Sequence, residues 1–143
     1  MKINFIADFF IDQVLGGGEL NNEEVITLLG EDNDVFRLQS HKVSLQFLQN
    51  NKNSKYIIAN FINLSPQAMH FIQNNCDYII YEHDHKYLSN RNPAAFKDFK
   101  APEKAIVNFD FYKNARAVFC QSGFHESIIK RNLKLDNIVN LGG

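Results

Sequence analysis

Six short apolar runs alternate with helical patterns, and this alternation constrains the possible fold more strongly than any other feature of the sequence. The runs occupy residues 3–7, 34–38, 56–60, 77–81, 115–120 and 137–141. Continuously apolar strands separated by helices are typical of a parallel sheet that is covered on both faces. Because crossovers between parallel strands are right-handed, we predict a doubly wound, Rossmann-like α/β domain with three layers. Its six-stranded, mainly parallel sheet is predicted to have the order 3-2-1-4-5-6.

Helical patterns and capping residues fill the intervals between the runs. The first helix is predicted over residues 20–29, and Ser40 is predicted to cap the second. Ser65 precedes a proline, which suits the first position of a third helix. A fourth helix is predicted over residues 102–112, and Ser122 is predicted to cap the fifth.

The totals are those of one globular domain, predicted over residues 1–143. With 143 residues, 45% of them hydrophobic, the chain can bury a sizeable core. A net charge of −1 argues against non-specific nucleic-acid binding. Cys76 and Cys120 lie in or beside apolar runs, which predicts free thiols in a reducing compartment. No run approaches the roughly 18 residues of a membrane span, and no signal peptide is apparent, so we expect a cytoplasmic protein.

Polar residues are expected to meet at the carboxyl edge of this sheet. The predicted order places strands one and four side by side, and open α/β sheets bind ligands in the crevice at such a point. A glycine-rich turn before a helix lets a phosphate approach the backbone N–H groups. The residues expected there, after strands one, four and five, are Asp8, Gly16, Gly17, Gly18, Glu82, His83, Asp84, His85 and Ser122.

Each of these residues also has a simpler interpretation. The glycines can form a loop without a ligand, and Asp8 can simply end its strand. His83 and His85, with the neighbouring carboxylates and His125, could hold a metal ion. No further metal-binding motif follows at the expected spacing, so we predict no metal. The other interpretation of the histidines is a polar loop in solvent.

Residues 85–101 form the longest segment without a clean period, and long irregular segments in compact domains are often functional. Basic and aromatic side chains together suit a sugar, a phosphate or a lipid headgroup, which allows for contact with a membrane surface. An ordinary solvated loop that packs two phenylalanines explains the composition equally well. The residues are Lys86, Tyr87, Arg91, Phe96, Lys97, Phe99 and Lys100.

Three places in the chain resemble the N-terminal domain of GT-B glycosyltransferases, the large retaining group that uses nucleotide sugars. Residues 16–19, Gly-Gly-Gly-Glu, are similar to a G-G-x-E turn after the first strand. Residues 79–84 resemble an apolar strand that ends in His-Asp, and residues 114–122 resemble the family's strand of the form A-D-x-V-I-x-x-S. The end of the chain, residues 137–143, resembles the last strand before the interdomain linker.

The resemblance implies a function and a set of roles. It implies sugar transfer from a nucleotide-sugar co-substrate, without a tightly bound cofactor, to a sugar or another hydroxyl acceptor. Gly16, Gly17 and Gly18 would lie near the donor diphosphate, and His83 between donor and acceptor as the catalytic residue. The acceptor pocket would be shaped by Asp8, Glu82, Asp84, His85, Arg91 and Ser122.

The resemblance also implies a second domain, which binds the donor and carries a paired-glutamate motif. The chain ends where that domain would begin, so we expect it to be supplied in cis or in trans. We therefore expect the isolated chain to be inactive and prone to self-association through its uncovered interface. The alternative is a Rossmann-like binding or regulatory module that catalyses nothing.

Overall fold

The computed structural model describes residues 1–10, 17–82, 87–89, 91–120 and 123–140, with only the backbone of residues 17–21, 103, 123 and 125. Six strands alternate with five helices along this part of the chain. The strands are β1 (Lys2–Ala7), β2 (Asp34–Gln39), β3 (Lys55–Ile58), β4 (Asp77–Tyr81), β5 (Val118–Cys120) and β6 (Ile138–Asn140). The helices are α1 (Gly17–Leu29), α2 (Leu45–Asn50), α3 (Pro66–Asn75), α4 (Phe109–Asn114) and α5 (Gly123–Leu133).

The strands form one all-parallel sheet, which confirms the predicted Rossmann-like α/β class. The strand order is β2-β1-β3-β4-β5-β6, so the predicted order 3-2-1-4-5-6 is wrong in its first half. β1 lies between β2 and β3, pairing Asn4 with Phe36 on one side and with Tyr56 on the other. The chain therefore reverses its direction across the sheet between β1 and β3, and β4 lies one strand further from β1.

The polarity of β2 explains the observed order. β2 reads Asp-Val-Phe-Arg-Leu-Gln and none of its residues is fully buried, which suits an edge strand. β3 is apolar over Tyr56–Ile58 and buried there, which suits an interior strand. The order 3-2-1-4-5-6 would have buried β2 between two neighbours, with Arg37 on an interior strand.

The reversal also decides how the helices are distributed. With right-handed crossovers, the β1–α1–β2 unit runs one way across the sheet and every later unit runs the other way. α1 therefore packs on one face, where Ile26 joins Phe5, Ile57 and Tyr81. The other four helices pack on the opposite face, in the larger apolar cluster. That cluster includes Leu48, Ala68, Ile72, Phe111, Tyr112, Ile129 and Leu133.

Two predicted helix boundaries are corrected. Ser40 does not cap a helix; it begins a 3-10 turn, and Ser44 caps α2 by accepting a hydrogen bond from the Phe47 N–H at 3.1 Å. The cap at Ser65 is confirmed, because its hydroxyl accepts from the Ala68 N–H at 3.1 Å. The helix predicted from residue 102 is wrong: α4 begins only at Phe109, after Asn108 in a left-handed conformation (φ 59°).

The long segment between β4 and α4 is irregular but packed. Val107 donates its N–H to the Tyr87 carbonyl at 2.6 Å, and Leu88 forms an isolated antiparallel bridge with Ile106. Tyr87 and Leu88 are both buried. An extended bridge, and not a helix, therefore holds the start of this segment against the core.

Asp77 at the amino edge of β4 carries a small ion-pair network. The Arg116 guanidinium donates two hydrogen bonds to its carboxylate, at 2.8 and 2.7 Å, and Lys55 forms a further pair with it. These donors stabilise the ionised form and hold the pKa of Asp77 below its ordinary value. The network joins the starts of β3, β4 and β5 at the end of the sheet opposite the carboxyl edge.

Asp77→Asn is expected to destabilise the protein by about 1 kcal/mol at neutral pH, because exposed ion pairs contribute little. A carboxyl with a lowered folded pKa stabilises above its unfolded pKa, and that contribution disappears as pH falls through the folded value. The difference in the free energy of unfolding between wild type and Asp77→Asn, measured in urea, should thus shrink toward zero in acid. A difference that stays constant below pH 4 would contradict the ion-pair account.

Candidate functional site

The carboxyl edge beside β1 and β3 is the candidate site, because the sheet reverses its order there. Ligands of open α/β sheets bind in the crevice at the carboxyl ends of strands that flank such a reversal. The sequence placed this crevice between strands one and four. The structure places β3 between them, so the ends of β1 and β4 are separated by about 10 Å, two strand spacings.

Asp8 joins the ends of three strands at this edge. Its carboxylate accepts hydrogen bonds from the backbone N–H groups of Ile62 and Asn63, at 3.2 and 3.1 Å, in the loop after β3. It also accepts from the hydroxyl of Ser40 at 2.5 Å, directly after β2. Only 9% of Asp8 is exposed. The resemblance implied that Asp8 shapes the pocket for the acceptor substrate. In the structure its carboxylate instead holds the loops after β2 and β3 together.

Ser40 is a residue of this site that the sequence analysis assigned to another role. Its single hydroxyl proton is within reach of the Asp8 carboxylate and of the Asn60 carbonyl, at 2.5 and 3.0 Å. The bond to the charged group is the shorter and the stronger of the two. This role was missed in the sequence because Ser40 is completely buried in the structure. That burial involves the loop after β3, which is distant in the sequence.

The glycine-rich turn is described only in part. α1 begins at Gly17, so Gly17 and Gly18 form its first turn, whose N–H groups have no partners within the helix. The helix therefore begins before the predicted residue 20, and Gly17 and Gly18 belong to the helix rather than to a turn that precedes it. Gly16 lies outside the described residues.

Glu82, at the end of β4, is fully buried and faces an aromatic cluster. Its carboxylate accepts a short hydrogen bond from the Tyr112 hydroxyl, and its N–H donates to the Phe119 carbonyl at 2.8 Å. Burial, with a contribution from the charge of Glu82, raises the pKa of Tyr87. Tyr112 packs edge-on against both Tyr87 and Phe61, with ring centroids 5.8 and 6.0 Å apart. Glu82 therefore fixes α4 to β4, while Phe61 links this cluster to the loop after β3.

Of the remaining predicted site residues, the structure describes only Arg91. His83, Asp84, His85 and Ser122 lie outside the described residues. Arg91 is exposed on the β4–α4 segment and has a left-handed backbone (φ 55°).

Within the described ranges, no group of three or more His, Cys, Asp or Glu residues could hold a metal ion. Both cysteines are free, as predicted, and burial raises the pKa of the Cys76 thiol to about 11. None of the helices in the described part of the chain is long and apolar enough to cross a bilayer.

Comparisons with known proteins add no family to this description. No protein-family model matches the sequence, and a search of curated proteins found no similar sequence. The fold and the arrangement at the carboxyl edge are therefore the basis for any functional assignment.

Asp8→Ala is expected to destabilise the protein by about 2–3 kcal/mol, because it leaves two partly buried N–H groups without an acceptor. Ser40→Ala should destabilise it by about 1 kcal/mol, and the two changes should be strongly non-additive in urea unfolding because they share one hydrogen bond.

Ser44→Ala is the matched control for this double-mutant cycle. It removes a helix cap worth about 1 kcal/mol and shares no partner with Asp8. Its effect should add to that of Asp8→Ala. Additive behaviour of the Asp8 and Ser40 changes would contradict the network described above.

Proposed function

We propose that the chain is the acceptor-side domain of a retaining GT-B glycosyltransferase and acts with a donor-binding domain. The observation that carries the proposal is a set of exposed apolar side chains that follow β1, β3 and β5. Phe9 is 45% exposed, Ile62 51% and Phe124 64%. Large apolar side chains exposed beside a ligand crevice fit a surface that a second domain covers, and ligand sites occur preferentially between domains.

The arrangement at the carboxyl edge supports the division of roles in this proposal. The first turn of α1, at Gly17 and Gly18, offers backbone N–H groups to an anion such as the donor diphosphate. Asp8 holds the loops after β1, β2 and β3 in fixed relative positions, so that the acceptor side of the crevice is preorganised. Glu82 fixes the end of β4, and His83, the next residue, is proposed to contact the transferred sugar or the acceptor hydroxyl.

A non-catalytic Rossmann-like binding module is the second candidate. Both carboxylates described at the carboxyl ends of β1 and β4, those of Asp8 and Glu82, already accept hydrogen bonds from the protein. Acid–base catalysis requires a group that reaches the substrate. This observation leaves the chemistry of the proposed enzyme to His83 and its neighbours. A second α/β domain with a glutamate pair in the same reading frame would favour the enzyme over the module.

In an enzyme assembled from this chain and its donor-binding domain, His83→Ala is expected to lower turnover about a hundredfold, as loss of a positioned acid–base group commonly does. His85→Ala is the matched control, because the resemblance assigns the role to His83, and its effect should be smaller. Turnover of labelled nucleotide sugars and the thermal midpoint are measured for both variants.

Three outcomes would count against the proposal. Robust turnover by the purified chain alone would contradict the need for a donor-binding domain. Near-wild-type activity of His83→Ala would remove the catalytic assignment. A larger defect in His85→Ala would move the catalytic position by two residues.

A further inference from the structure

A cavity of about 740 Å³ lies away from the sheet reversal, between the β4–α4 segment and the end of α5. Lys100 and Pro102 belong to one wall, and Asn132 and Lys134 to the other. Ile106 and Phe109 add apolar surface. The volume is in the range of small-molecule sites, which are typically lined by apolar surface and a few polar groups. We call this site the Lys100–Lys134 cavity.

The two walls are held together by a hydrogen-bond network. The Asn132 side chain accepts from the Ala101 N–H at 2.8 Å and donates to the carbonyls of Phe99 and Ile128, at 2.8 and 3.0 Å. The Lys100 ammonium donates to the Arg131 carbonyl at 3.2 Å. That bond uses one of its three protons and leaves two for a ligand. The site is thus formed before a ligand arrives.

The cavity is positively charged. Lys100 and Lys134 are among its lining residues, and no acidic side chain is among the described ones. Lys134 makes no side-chain hydrogen bond or ion pair with the described part of the chain. The two flanking segments, residues 97–104 and 130–136, contain six lysine and arginine residues against three acidic ones. Two like charges that face one cavity repel each other, and an anion between them relieves this repulsion.

Unfavourable backbone conformations cluster around the same cavity. Lys134 has a φ of 55° directly after α5, a position where helices usually place glycine or asparagine. Asp98 and Phe99 (φ 54° and 57°) precede Lys100, and Asn108 (φ 59°) precedes Phe109. Residues with a Cβ are disfavoured in this conformation, and such strain is common at binding sites. The fold needs no lysine at position 134, since glycine would be accommodated there more easily.

We propose that the Lys100–Lys134 cavity binds a phosphate monoester that carries an apolar body. A phosphate monoester has a charge of about −1.5 to −2 at pH 7, which matches two ammonium groups. Its oxygens accept the free protons of Lys100 and Lys134, while the apolar body packs against Pro102, Ile106 and Phe109. This inference is independent of the proposed sugar transfer, because the cavity shares no residue with the site around Asp8.

Calorimetric titration of the full chain with 1-naphthyl phosphate tests the proposal. Saturable binding is expected. 1-Naphthol, which keeps only the apolar ring, and inorganic phosphate, which keeps only the anion, should each bind at least about tenfold more weakly. Lys100→Gln and Lys134→Gln should each weaken binding about tenfold, because each removes a charge-assisted hydrogen bond. Lys113→Gln, an exposed lysine on α4 outside the cavity, is the matched control and should bind like wild type.

Lys134→Gly separates binding from folding. It removes the ammonium and relieves the left-handed backbone, so binding should weaken while the thermal midpoint stays unchanged or rises. Vesicles that contain phosphatidic acid, compared with pure phosphatidylcholine vesicles, decide whether the phosphate comes from a lipid or from a soluble ester. The proposal is overturned if neither naphthyl phosphate nor the acidic vesicles bind. Binding that is equal in the Lys100→Gln/Lys134→Gln double variant and in Lys113→Gln would overturn it as well.

Discussion

The carboxylate of Asp8 is the interaction on which the arrangement of the carboxyl edge depends. Parallel strands place their ends at one edge, but nothing in the sheet itself fixes the loops that leave them. Asp8 supplies that restraint with a single charged acceptor, which binds two backbone N–H groups of the loop after β3 and the hydroxyl that follows β2. Because charge-assisted hydrogen bonds in partly buried sites are strong, one residue fixes the relative positions of these loops.

The early reversal of strand order has a second consequence, which concerns the faces of the sheet. In the described part of the chain, four helices cover one face of the sheet, whereas α1 and Phe10 pack on the other face near β1. Cover on that second face therefore declines away from β1. Tyr81 on β4 is 7% exposed, whereas Val139 on β6 is 40% exposed. Phe9, Ile62 and Phe124 add further exposed apolar side chains at the carboxyl edge.

Local signals in the sequence predicted the elements well, and long-range packing decided what they could not predict. Alternating apolar runs gave six strands, and Ser65 gave a helix start, because both depend on neighbouring residues. Strand order depends instead on which strand is polar enough to lie at the edge of the sheet. The polar residues of β2 indicate that it is this strand. Asp8 was placed correctly at the carboxyl edge, but its occupation by Ser40, Ile62 and Asn63 joins residues 32 to 55 positions apart. Lys100 and Lys134, which line one cavity, are likewise brought near each other from distant positions in the sequence.

The most direct test of the account compares amide hydrogen exchange at Ile62 and Asn63 in the wild type, in Asp8→Ala and in the Ser44→Ala control. If both N–H groups donate to the Asp8 carboxylate, Asp8→Ala should speed the exchange of these two amides about tenfold more than it speeds the exchange of core amides. Ser44→Ala, which shares no partner with Asp8, should leave their exchange close to the wild-type rate. Exchange at Ile62 and Asn63 that is the same in Asp8→Ala as in the wild type would contradict the claim that Asp8 holds this edge of the sheet together.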